Sequence, residues 1–143
     1  MSESDRHDRI ASEADARTAD GVAALDAVLE HRARLAVCVL LSRHDEISFA
    51  RFKQLLELTD GNLGAQLRKL EESGYVTLRR TFEARKPVTW YALTDAGKRA
   101  LKTHLSALQS LVAAAERQRA SKVYVSRPRL RREAREARKA KCV

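Results

Sequence analysis

The chain has 143 residues, room for one domain with a modest core and hardly for two. Hydrophobic residues make up 44% and charged residues 33%, an ordinary globular balance; the longest apolar run, Leu35–Leu41, is far too short to cross a bilayer. The formal net charge of +9 lies in residues 117–143, where eleven Lys/Arg face two acidic residues, while residues 1–20 are net negative and 21–116 mildly basic.

In chain order, Met1-Ser-Glu-Ser-Asp opens polar and acidic, without an apolar segment of the secretory kind, so a cytoplasmic protein with no membrane partner is expected. Residues 1–20 lack large apolar groups at regular spacing and read as a mobile acidic leader. The folded domain is expected over 21–116. Val22, Leu25, Val28 and Leu29 follow the spacing of a short amphipathic helix. Leu35, Val39 and Leu40 mark a second helix running to about Ser42, with Val37, Cys38 and Leu41 widening its apolar face enough to place it at the centre.

Asp45-Glu46 interrupts that pattern, and Ile47-Ser48 suits a very short strand. Phe49, Phe52, Leu55 and Leu56 predict a third helix with Ser48 as its N-cap. After Leu58-Thr59-Asp60, Leu63, Leu67 and Leu70 recur at helical spacing, and Gly74 is placed to close that helix. The period then shifts from 3.6 to 2. Tyr75–Glu83 and Val88–Leu93 predict the arms of a β-hairpin around a turn of Ala84-Arg85-Lys86-Pro87. Thr94 caps a long last helix whose Leu101, Leu105, Leu108, Leu111 and Val112 form an apolar stripe. Residues 117–143 read as a basic, disordered tail.

Turning Leu63, Leu67 and Leu70 inward leaves Asn62, Ala65, Gln66 and Lys69 facing out, with Asp60 and Gly61 at the helix start. Asn and Gln can pair with the adenine edge, Lys reaches guanine or phosphate, and Ala and Gly permit close approach. An exposed amide pair alone is weak, since many surface helices carry one. The hairpin strengthens it: Arg79 and Arg80 lie on the incoming arm and Arg85-Lys86 precede Pro87, which is expected to stiffen the turn and project the basic pair. These residues are therefore the candidate contacts to double-stranded DNA. No phosphate loop, nucleophile-and-base arrangement or carboxylate pair suggests an enzyme, and no cofactor is expected. Cys38 and Cys142 stand far apart, without the paired spacing of a zinc site, so no metal is expected.

Residues 25–112 resemble the winged helix-turn-helix regulators of the MarR/ArsR-like group. The resemblance rests on Leu35-Ala-Val-Cys-Val-Leu-Leu, on Phe49-Ala-Arg-Phe-Lys-Gln-Leu-Leu, and on the stretch from Leu58 through Asn62, Gln66 and Gly74 to Val76. Phe82-Glu-Ala-Arg-Lys-Pro-Val-Thr-Trp-Tyr and Leu93-Thr-Asp-Ala-Gly-Lys-Arg-Ala-Leu complete it. It implies a mostly α fold with a small β-hairpin. It also implies a homodimer joined through the first and last helices, with Val22, Leu25, Leu29, Leu101, Leu105, Leu108, Leu111 and Val112 at the interface. A sequence-specific transcription regulator, by default a repressor of a pseudo-palindromic operator, follows from it. The alternatives are a protein docking module and a non-specific nucleic-acid binder. Metal sensors of that group use cysteines before the turn or acidic and histidine groups on the last helix. Here Arg51, Lys53 and Gln54 hold the first place and His104 stands without a partner in the second. A small-molecule effector fits the resemblance, but no residue identifies one.

Overall fold

The computed structural model describes residues 3–116, which divide into a unit of residues 23–108 and a second unit of residues 3–22 with 109–116. The basic tail at 117–143 lies outside the described residues. Glu3–Ala23 forms α1, a helix that the spacing of apolar groups in residues 1–20 does not predict. Ala14, Ala16, Ala19 and Ala23 are the strongest helix formers, and Glu3 and Asp5 complement the positive end of the helix dipole. A helix-forming composition needs no apolar stripe, so the spacing of large apolar groups does not reveal this element.

In the larger unit the expected helix over Val22–Leu29 is replaced by turns after α1. Asp26 is the physical cause. Its carboxylate accepts from Val28 N–H at 2.8 Å and its carbonyl accepts from Leu29 N–H at 3.0 Å, a local side-chain bond that competes with helix. The turn drops Leu29 into the core. Helix α2, Arg32–Arg43, follows from an N-cap at His31, whose ring accepts from Ala33 N–H. Its buried stripe is Ala33, Val37, Cys38 and Leu41, whereas Leu35, Val39 and Leu40 are only partly covered.

Strand β1 is Ile47–Ser48 and α3 is Phe49–Leu56, with Ser48 capping it by accepting from Arg51 N–H. Glu57 turns the chain in a left-handed conformation, φ 52°, and Thr59 caps α4, Asp60–Glu72, by accepting from Asn62 N–H at 3.2 Å. At its far end Tyr75 N–H reaches Leu70 carbonyl (3.0 Å) and Gly74 N–H reaches Glu71 carbonyl (2.9 Å). That is the Schellman pattern, and Gly74 at φ 77° supplies the left-handed residue it needs.

Strands β2, Val76–Glu83, and β3, Lys86–Leu93, pair antiparallel, and β1 adds to the far side of β3, giving the order β1-β3-β2. The hairpin turn is tighter than the sequence suggests. Glu83 pairs with Lys86, so only Ala84 and Arg85 form the loop, both with positive φ (46° and 64°). This double left-handed turn matches the twist of the flanking strands. Pro87 accordingly sits in β3 opposite Phe82, rather than in the turn. In a two-residue hairpin the closing pair, Glu83 and Lys86, carries the ladder bonds and the next pair, Phe82 and Pro87, is a non-hydrogen-bonded one, so the missing N–H of proline breaks no bond to β2.

Residues 95–116 form the last helix, α5. Thr94 caps it, accepting from Gly97 N–H at 2.9 Å and donating to Gly74 carbonyl at 2.6 Å. Phe52, Leu63, Leu67, Leu70, Val37 and Cys38 are fully buried around the centre, with Ile47, Val76, Tyr91, Leu93 and Leu101 sealing it. The Phe52 and Tyr91 rings meet edge to face, centroids 6.2 Å apart. Among the described residues, no helix is long and apolar enough to cross a membrane, and no group of three or more His, Cys, Asp or Glu is placed to hold a metal ion.

Candidate nucleic-acid interface

Helix α4 is anchored by burying Leu63, Leu67 and Leu70, and this fixes what it presents outward. Gly61, Asn62, Ala65 and Lys69 are exposed. Gln66 is half-buried and held at both ends: its Oε1 accepts from an Arg34 guanidinium N–H at 3.2 Å, and its Nε2 donates to Asn62 Oδ1 at 3.1 Å. Arg34 is itself braced, its Nε donating to Val28 carbonyl at 2.6 Å. The chain of bonds has a direction. With Gln66 Oε1 committed to Arg34, Asn62 accepts through its oxygen and keeps its NH2 donors for whatever approaches the helix.

Asp60 forms an ion pair with Lys53 at 2.8 Å, linking α3 to the start of α4. A carboxylate at a helix N-terminus suits the dipole but repels phosphate, and here Asp60 ties the two helices together. Arg79 is likewise committed. Its guanidinium grips Glu46 through two bonds, 3.0 and 2.6 Å, reaching across β3 from β2. Arg79 is exposed and Glu46 half-buried; the Arg79 guanidinium holds the Glu46 carboxyl below its usual range, and Glu46 raises Arg79 in return. The free basic groups of the hairpin are Arg80 on the arm and Arg85 and Lys86 at the tip, all exposed. Helix α4 packs on β2, so the polar helix face and the basic hairpin belong to one packed assembly.

Residues 33–112 match the model of the winged helix DNA-binding domain. The chain belongs to that family. The uncharacterized protein MJ0432 of Methanocaldococcus jannaschii is 33% identical over 72 residues, half of this chain and 78% of that protein. Among solved structures, a transcriptional regulator homologue from Pyrococcus horikoshii OT3 is similar at 30% identity and a TM-score of 0.58, over 62% of this chain and 87% of its own. The apo form of MarR from E. coli shares the fold at 16% identity and a TM-score of 0.53, over 98% of this chain and 97% of its own.

In this winged helix domain α4 is the second helix of the helix-turn-helix and β2–β3 the wing. The domain also corrects the expected dimer surface. Leu29 and Leu101 are buried in the core of the single chain and have no side chain to offer a partner. Leu25, Leu108 and Leu111 are partly covered, while Val22, Leu105 and Val112 are exposed at 54%, 37% and 56%. Arg34 is the residue that sequence reasoning missed. A cation inside an otherwise apolar helix has to find a partner, and that was the available signal.

Proposed function

We propose that this winged helix protein is a transcription regulator that reads duplex DNA, with α4 in the major groove and the β2–β3 wing against the neighbouring backbone. The observation that carries this reading is the pairing of an exposed small and polar helix face, Gly61, Asn62, Ala65 and Lys69, with a free basic wing tip at Arg85 and Lys86. A docking helix would expose apolar groups in that place. The family supports the same reading, as does the similar regulator homologue from P. horikoshii. Asn62 and Lys69 contact base edges, Gln66 holds Asn62 in orientation, and Arg80, Arg85 and Lys86 meet phosphate. The active species is a homodimer that uses the exposed apolar positions of its last helix, Leu105 and Val112, and repression by occupying an operator is the simplest mode for it.

Gel shifts of the full chain against genomic fragments test this. Asn62→Ala should change which fragments are preferred, by about tenfold or more between best and competing sites. The double change Arg85→Ala and Lys86→Ala should weaken binding to all fragments alike and flatten its salt dependence. Failure of the full chain to prefer any fragment over bulk DNA at physiological salt contradicts sequence-specific regulation.

A further inference from the structure

The wing carries a feature that neither charge nor the helix-turn-helix explains. Phe82 is 75% exposed, although phenylalanine is among the residues most often buried. Along β2, Val76, Leu78, Arg80 and Phe82 share one face. Val76 lies in the core, Leu78 packs against it, and Arg80 and Phe82 run out beyond it. Across the ladder Phe82 faces Pro87, also exposed, so an aromatic ring and a rigid apolar ring sit side by side near the hairpin end. Glu83 pairs with Lys86 on the opposite face. The face that carries Phe82 therefore holds Arg80 and no carboxylate on β2, with Arg85 following in the turn.

An apolar pair with Arg80 on its own face and Arg85 at the adjoining turn fits a polyanion that also has a non-polar surface. Duplex DNA offers this combination: phosphates at the rim of each groove, and deoxyribose walls and base edges inside. A second copy of this chain fits poorly, because joining two such faces would set Arg80 and Arg85 against their own counterparts. We infer that Phe82, backed by Pro87, is an apolar contact to the groove wall of duplex DNA, made beside the phosphate contacts of the wing. This rests on the DNA-binding reading and adds to it a component of affinity that does not depend on salt.

The test uses the full chain and a labelled duplex that it selects from a random-sequence library, with binding measured across a salt series. Phe82→Ala should weaken binding by about tenfold at every salt concentration, leaving the slope of log K against log[salt] unchanged. Phe82→Leu should keep most of the affinity. The Arg85→Ala and Lys86→Ala pair should instead flatten the slope by roughly 0.9 for each phosphate that the wing no longer neutralises. Because Phe82 is exposed, the thermal midpoint of Phe82→Ala should match that of the unsubstituted chain, which separates an effect on binding from an effect on folding. If Phe82→Ala binds like the parent while the charge variant flattens the slope, this inference fails and the DNA reading stands. A change of slope on Phe82→Ala, or weaker self-association with affinity for DNA intact, also overturns it. Absence of duplex binding by the parent chain would overturn the underlying reading itself.

Discussion

At the scale of single residues, Tyr75 shows how one hydroxyl joins distant parts of the chain. Its Oη donates to the Asp26 carboxylate, and Asp26 N–H donates in turn to Nδ1 of the buried His104 at 2.9 Å. The turn before α2, the end of α4 and the last helix are thereby tied together. The bond to Asp26, with burial second, pushes the Tyr75 hydroxyl from 10.0 up to about 12. A raised value means that the neutral tyrosine stabilises the fold below its unfolded value, and that this contribution is lost as pH rises from about 10 through about 12. Tyr75→Phe should cost about 1–2 kcal/mol at neutral pH and should remove that part of the alkaline loss, as read from urea midpoints across pH. If parent and variant lose stability in parallel through the alkaline range, the assignment to Tyr75 is wrong. None of this was legible in the sequence, where His104 looks partnerless. These bonds join positions far apart in the chain, and local spacing carries no trace of them.

At the scale of elements, local chemistry was most readable where a residue type serves one backbone geometry. Ser48, Thr94 and Gly74 occupy the capping positions their chemistry predicts. The hairpin turn departs from the expected one: proline usually marks a turn, whereas here two residues without that signature, Ala84 and Arg85, take the left-handed conformations. Helix α1 leaves no periodic signal because its alanines give propensity without an apolar stripe. A different constraint, invisible to propensity, sits at Gly97. A Cβ there would lie 2.2 Å from the Tyr75 carbonyl oxygen and 2.8 Å from Leu93 Cδ1, so α5 reaches its position only because that side chain is missing. Gly97→Ala should therefore destabilise by about 1–3 kcal/mol, even though alanine is the better helix former. Thermal unfolding checks the sign, and a stabilised Gly97→Ala variant would show that the close approach is not fixed.

At the scale of the whole molecule, the basicity that first draws attention belongs to residues 117–143, while the candidate interface lies on a far less charged domain. The candidate site was legible in outline: the leucine spacing of α4 places Asn62, Ala65 and Lys69 on the outside. What the sequence could not supply was which polar groups are already spent. Gln66, Asp60 and Arg79 all have partners on neighbouring elements, and only packing reveals that. The same holds for the dimer surface, since a helical apolar stripe does not say which of its members the chain buries for itself. With Leu29 and Leu101 taken by the core, self-association should depend on Leu105 and Val112. Sedimentation of Leu105→Glu with Val112→Glu should show monomer where the parent chain shows dimer; a parent chain that sediments as monomer would remove the homodimer from the account.

Nuclear magnetic resonance titration of the full chain with its selected duplex tests the central claim most directly, because it maps contact residue by residue. The account predicts amide shifts concentrated at Gly61, Asn62, Ala65 and Lys69 on α4 and at Ala84, Arg85 and Lys86 at the wing tip. Saturable binding with those amides unmoved, and with the shifts gathered on another face of the domain, would contradict it.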